Sequence, residues 1–212
     1  MATEQLVYIV DDDGAIRESL SALLEAYGYI VGTFASARHF LHAAPTLRTG
    51  VLITDVRMPD MDGLELQQRL AERTLKFPLI VITAHADVPL AVRAMKAGAV
   101  DLLEKPFPIQ MVVDSVALAV DQIAATSAED QSQGALRATA AARLTELSPR
   151  EREVLDGLLN GLPNKLIAYQ LGISARTVEI HRARVMEKTR ARSLSELIRM
   201  SLAAGMHPTA AP

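Results

Sequence analysis

The chain has no cysteine among its 212 residues, which excludes disulfides, thiolate zinc sites and cysteine nucleophiles and suits a reducing compartment. No stretch approaches the roughly 18 uninterrupted apolar residues of a membrane-spanning helix. The opening residues, MATEQL, lack the basic start and long apolar segment of a secretory signal. The expectation is a cytoplasmic protein with no membrane partner. Apolar side chains themselves are plentiful: 50% of the residues are hydrophobic, which argues against wholesale disorder. The length suits two domains better than one.

Neither sign of charge dominates the whole, yet the net charge of −3 hides an asymmetry. Residues 1–125 carry 10 Lys and Arg against 16 Asp and Glu, whereas residues 146–212 carry 10 against 7. Within Ile173–Arg192 the count is 6 against 2. An acidic front half joined to a locally basic back half suggests a metal or phosphate switch coupled to an anion-binding module.

The front half alternates short apolar runs with helical periodicity. Strands are expected at Leu6–Val10, Tyr29–Phe34, Val51–Thr54, Leu79–Thr83 and Val100–Leu103. Between them, helices run from about Gly14 to Tyr27 (inward stripe Ile16, Leu20, Leu23, Leu24, Tyr27) and from Ser36 to Ala44. Another starts near Asp62 with Leu64, Leu70 and Ala71 inward, one has Pro89 in its first turn, and one follows Pro108 to about Ala125. This (βα)5 pattern predicts an α/β fold: a doubly wound, flavodoxin-like parallel sheet with strand order 2-1-3-4-5.

Ionisable and hydroxyl groups fall at the ends of four of these strands. Asp11, Asp12 and Asp13 follow the first, Asp55 the third, Thr83 ends the fourth, and Glu104 and Lys105 follow the fifth. The second strand, an edge strand in that order, has none. An Asp-Asp-Asp run is most often a solvated turn, and a lone Lys before Pro a surface charge. Four such signals at the strand ends that border one crevice outweigh that bland reading. Clustered carboxylates resist ionisation unless a cation joins them, and all-oxygen ligands with room for water suit Mg²⁺. Asp12 and Asp55 are the expected direct ligands, Asp11 a water-mediated one, and the Arg57 backbone carbonyl completes the set. Beside such a cation Asp55 can attack a phosphoryl group, after which Lys105 and the Thr83 hydroxyl would meet the new phosphate oxygens. Arg57 and His85 flank that position.

The blocks VDDD, TDVRMPDMDG, VITA and EKPF make residues 1–125 similar to the receiver domains of two-component response regulators. That resemblance implies phosphorylation of Asp55 by a histidine kinase. One position departs from the pattern: receivers often carry an aromatic three residues before the Lys, and here it is Leu102, which argues against an aromatic switch coupled to Thr83.

Residues 126–145 are rich in Ala, Ser, Thr and Gln and read either as a flexible tether or as a helical continuation. In residues 146–212, Ser148–Pro149–Arg150–Glu151 forms a capping box for a helix to Asn160. A short helix from Lys165 to Leu171 follows, then a turn at Gly172–Ser174, and a basic helix to about Thr189. A second box, Ser193 with Glu196, opens a last helix to Ala204. On the basic helix Val178, His181 and Val185 face inward, His181 as packing or a backbone hydrogen bond. Arg176, Glu179, Ile180 and Ala183 are placed for base edges, Lys165, Arg182, Arg184 and Lys188 for phosphates, and Thr177 belongs to the same DNA-binding set.

LSPREREVL, NKLIAYQLGIS and RTVEIHRARVMEK resemble the LuxR/GerE-type helix-turn-helix, implying a small all-α domain of four helices, the third reading DNA and the fourth often dimerising. ADVPLAVRAMKAGAVDLLEKPF and GLPNKLIAYQLGISARTVEIHRARVM narrow the likeness to the FixJ subfamily. That implies a haem-containing, oxygen-sensing kinase as partner and microaerobic or nitrogen-fixation genes as targets. The reading is therefore a non-enzymatic, phosphorylation-activated transcription factor that pairs as a homodimer on promoter DNA. Two rivals stand beside it: a switch whose basic module binds RNA or an RNA polymerase subunit, and a Mg²⁺-dependent phosphohydrolase.

Overall fold

A computed structural model describes residues 5–126 and 139–206. In the first stretch, β1 (Leu6–Val10), β2 (Ile30–Phe34), β3 (Val51–Asp55), β4 (Leu79–Thr83) and β5 (Asp101–Glu104) alternate with α1 (Gly14–Ala26), α2 (Ala37–Ala43), α3 (Gly63–Glu72), α4 (Val88–Lys96) and α5 (Ile109–Thr126). All strand pairs are parallel, in the order β2-β1-β3-β4-β5. Every residue of β3 and β4 is buried, whereas the edge strand β2 is half-exposed along its length. A strand covered on both faces must be apolar on both, hence the runs VLIT and LIVIT. The register sets Val10 beside Thr54, Asp55 beside Ile82 and Thr83 beside Glu104, so the polar ends of four strands meet along one edge.

The two faces of the sheet are packed differently. Under α1 and α5 the core is aliphatic, with Val7, Ile9, Leu20, Leu24, Ile53, Ile82, Val112 and Val116 among its members. On the other face Tyr8, Phe34, Phe40 and Phe77 form a cluster of rings with centroids 5.1–6.3 Å apart. The Tyr8 hydroxyl donates to the Arg48 carbonyl at 2.9 Å, which satisfies the polar tip of a buried ring.

Two expected core positions lie outside it. Tyr27 is 51% exposed, because α1 ends at Ala26 and the residue after the last turn no longer follows the helical stripe. Ala71 is exposed while Leu66 and Gln67 are buried: the Asp62 cap fixes the start of α3, so its inward face runs through Gly63, Leu66, Gln67 and Leu70. The fifth strand also lies one residue later than its apolar run, with Asp101 and Glu104 as its ends.

The second stretch is helical throughout. Residues 139–145 are helical; α6 (Pro149–Leu159), α7 (Asn164–Leu171), α8 (Ala175–Thr189) and α9 (Leu194–Ala203) follow. Whether residues 126–145 form a tether or a continuous helix falls largely on residues 127–138, outside the described residues. The box at Ser148 is complete: its hydroxyl accepts from the Glu151 amide, and the Glu151 carboxylate accepts from the Ser148 amide at 2.8 Å. The box at Ser193 is not reciprocal in the same way, since Glu196 reaches past Ser193 to the Arg192 amide at 2.7 Å. Helices α6 and α7 cross so closely that a Cβ on Gly157 would lie 2.8 Å from the Ile167 side chain. Gly172, at φ 66°, ends α7, and Ser174 then caps α8, which completes the tight turn between the two helices.

Candidate functional site

At the carboxyl edge of the sheet, Asp11 and Asp55 are 3% and 8% exposed. Buried carboxylates persist only when paired and hydrogen-bonded. Here the Lys105 ammonium lies between them, 3.1 Å from Asp11 Oδ2 and 2.9 Å from Asp55 Oδ1. Burial alone would lower the Lys105 pKa, but the hydrogen bonds to Asp55 and Asp11 outweigh it and the pKa is raised above its ordinary value. The remaining carboxylate oxygens are met by backbone amides: Asp11 Oδ1 by Asp13 N–H at 2.9 Å and Asp55 Oδ2 by Arg57 N–H at 2.7 Å.

The loops are held as firmly as the carboxylates. Asp13 caps α1 through its own side chain, and the Arg17 guanidinium donates to the Asp11 carbonyl at 2.6 Å. Behind Asp55, the amide of Gly63 donates to the Val56 carbonyl at 3.0 Å. A Cβ at Gly63 would collide with the Asp55 carbonyl, so a glycine is required where the β3–α3 loop folds back. The buried Thr83 hydroxyl accepts from the His85 amide at 3.2 Å and donates to the His85 carbonyl at 3.3 Å. The neighbouring Ala86 amide is held by Glu104 at 3.1 Å.

Asp11, Asp55 and Lys105 are thus in contact, and Thr83 ends β4 on the same edge with its hydroxyl turned to His85. Asp12 is exposed, and Asp11 is the member of the acidic run that turns inward. Among the described residues no three carboxylate or imidazole groups are gathered to hold a metal ion by themselves. An ammonium, not a third carboxylate, completes the cluster. The groups expected to hold a cation are nonetheless all oxygen donors (Asp11, Asp12, Asp55 and the Arg57 carbonyl), the chemistry of a hard cation that keeps several waters. Arg57 and His85 are exposed at its mouth. Leu102 is 7% exposed and packs as core. Arg17 escaped the sequence reading, although it lies one helical turn after the Asp13 cap and so within reach of the loop; Glu104 was read as a strand-end acid, but not as the acceptor of the Ala86 amide.

In the helical stretch the inward face of α8 is as expected: Val178 and Val185 are fully buried. His181 packs between them with its Nδ1 enclosed and without a hydrogen-bond partner among the described residues. Lys165, Arg176, Glu179, Ile180, Ala183 and Arg184 are exposed. The Thr177 hydroxyl lies 2.8 Å from that of the cap residue Ser174. The other two cations are engaged inside the helical body. Arg182, half-buried, donates to Asn164 Oδ1 at 2.8 Å, and burial lowers its pKa against the opposing pull of Glu179. Lys188 pairs with the buried Glu151 at 2.7 Å. Glu151 was legible only as a capping residue; its second role depends on α8 crossing α6.

A parallel five-stranded sheet with an acidic pair and a Lys at its carboxyl edge, followed by a capped basic helix-turn-helix, defines a receiver joined to a DNA-binding module. Comparison with known proteins agrees: residues 7–117 match the model of the response regulator receiver domain and residues 145–201 that of the bacterial regulatory proteins of the luxR family. The chain is 49% identical over 207 residues to the transcriptional regulatory protein FixJ of Rhizobium meliloti (strain 1021), covering 98% of this chain and all of that one. It is 41% identical to the response regulator protein TmoT of Ectopseudomonas mendocina over 93% of this chain and 88% of that one. Among solved structures, full-length FixJ from B. japonicum is 46% identical, with 97% and 99% of the two chains covered and a TM-score of 0.56. The chain belongs to the two-component response regulators that carry a luxR-type helix-turn-helix, and is a phosphorylation-dependent regulator of transcription. A histidine kinase is the partner such a receiver implies, and no helix among the described residues is long and apolar enough to cross a membrane.

Proposed function

We propose that Asp55 is the phosphoacceptor of a receiver spanning residues 1–125, and that its state controls DNA binding by residues 146–212. The observation that carries this is the pairing of Asp55 with Lys105 and Asp11 at the edge where β3 and β5 end. An Asp55 carboxylate oxygen would attack the phosphorus of a phosphohistidine, the P–N bond would break, and the released imidazole would take up a proton. Asp11, Asp12, Asp55 and the Arg57 carbonyl would hold Mg²⁺, which supplies positive charge between the carboxylates and the phosphoryl oxygens. The new phosphate offers Lys105 a stronger partner than Asp11 and draws the Thr83 hydroxyl away from His85. Moving those two residues shifts β5 and the start of α4, and the α4–β5–α5 face of two receivers then pairs.

Dimers of this kind deliver two copies of α8 to half-sites of two-fold symmetry. Arg176, Thr177, Glu179, Ile180 and Ala183 meet base edges, with Lys165 and Arg184 on phosphates. The likeness to FixJ favours an oxygen-sensing kinase and microaerobic or nitrogen-fixation promoters. Acetyl-phosphate labelling of wild type and Asp55→Asn tests the phosphoacceptor: label is expected on the first and absent from the second. Equal labelling of both would remove Asp55 from this role. Footprinting of genomic fragments with and without phosphorylation tests the DNA half.

A further inference from the structure

The two ends of α8 are held very differently. Its first half presents Arg176, Glu179, Ile180 and Ala183 to solvent. Its last turn is fastened from several sides. The Thr189 side chain is fully buried, and its hydroxyl donates to the Val185 carbonyl at 2.7 Å. Arg190 follows in the left-handed region at φ 57°, with its amide bonded to the Glu187 carbonyl at 3.2 Å and the next amide, of Ala191, to Met186 at 3.1 Å. A non-glycine residue holds that conformation only where its surroundings over-determine it.

Those surroundings come from chain that lies ahead of α6. The Arg143 guanidinium donates to the Thr189 carbonyl at 3.3 Å, placing a cation on the negative end of α8. The Lys188 ammonium donates to the Glu146 carbonyl at 3.3 Å as well as to Glu151. Ala140, Leu144 and Leu147 are buried, and Arg152 of α6 grips the same segment through the carbonyls of Thr145 and Leu147 at 3.1 and 3.3 Å. The match to the luxR-type domain begins only at residue 145. Arg143 lies outside it and inside the stretch that composition alone assigns to a linker.

We infer that residues 139–147 are a positioning element for the DNA-reading helix, with Arg143 as its positioning residue: the segment clamps the C-terminal turn of α8 and so sets how the exposed N-terminal half is presented. Arg143 acts through the Thr189 carbonyl and does not touch DNA. The inference rests on the reading of α8 as the helix that enters the groove.

The test uses the full chain with Arg143→Ala and Arg143→Lys, and two readouts. Hydrogen exchange of the Arg190 and Ala191 amides needs no DNA: it is expected to be about tenfold faster in Arg143→Ala and partly restored in Arg143→Lys. Binding is then measured to a duplex selected by the wild type from a pool with a randomised centre. Affinity is expected to fall about tenfold in Arg143→Ala with the salt dependence unchanged, because no phosphate contact is lost. A salt slope shallower by about one would make Arg143 a phosphate contact and overturn the proposal; so would unchanged exchange at residues 190 and 191. If Arg143→Ala unfolds globally, exchange rises everywhere and Arg143→Lys decides by the same two criteria. If the wild type selects no duplex, the DNA reading fails, while the exchange arm still decides whether the clamp exists.

Discussion

Two buried ion pairs in this chain use the same chemistry and differ in how many acids share each lysine. In the helical body one carboxylate, Glu151, meets one ammonium, Lys188, and also caps α6. Both bonds fall on its Oε2, its charge is cancelled, and its pKa is held down to about 2, first by the hydrogen bond from Lys188 and then by the Ser148 amide. At the sheet edge two carboxylates share one ammonium, so a negative charge is left over beside a group that has a choice of partners. A balanced pair locks two helices together. An unbalanced one can be re-partnered by an incoming phosphate and cation, and that is what a switch requires.

Mutations can push each site toward the behaviour of the other. The largest effect expected is complete: Asp55→Asn keeps the shape of the crevice but abolishes acetyl-phosphate labelling, read by mass. Glu151→Ala comes next. It strands Lys188, removes half of a capping box and is expected to destabilise the helical body by about 3 kcal/mol, read from urea unfolding. That is the low end of what breaking a buried pair costs, because the Lys188 side chain is 37% exposed. The same pair fixes a pH dependence. The carboxyl of Glu151 titrates lower in the folded protein than its ordinary 4.5. Its contribution is therefore fully present above about pH 4.5 and lost as pH falls toward 2. In Glu151→Gln that component of acid unfolding should vanish from a series of urea midpoints.

Smaller effects separate backbone fit from charge. Gly63→Ala drives a methyl into the Asp55 carbonyl and is expected to cost about 2 kcal/mol while slowing labelling, since the loop behind the phosphoacceptor must shift. Ser148→Ala removes one cap hydrogen bond and leaves the Glu151–Lys188 pair in place, for about 1 kcal/mol. If Ser148→Ala proved as costly as Glu151→Ala in thermal or urea unfolding, the lock would be a matter of capping and not of the ion pair.

Much of this is legible in the sequence. The runs VLIT and LIVIT, the helix start at Asp62, the capping box at Ser148 and the turn at Gly172–Ser174 all act within a few residues, so local pattern was enough to place them. The convergence of Asp11, Asp55, Thr83 and Lys105 was also legible, because in a parallel sheet every strand's carboxyl end lies on the same edge. What the linear chain determines here is thus periodicity, capping and the order of strand ends. Tertiary packing decided the rest: that Asp11 and not Asp12 turns inward, that Arg182 and Lys188 face neighbouring helices, and that a segment resembling a linker holds the end of α8. Those choices depend on which side chain another element reaches across space, and sequence spacing carries no record of that distance.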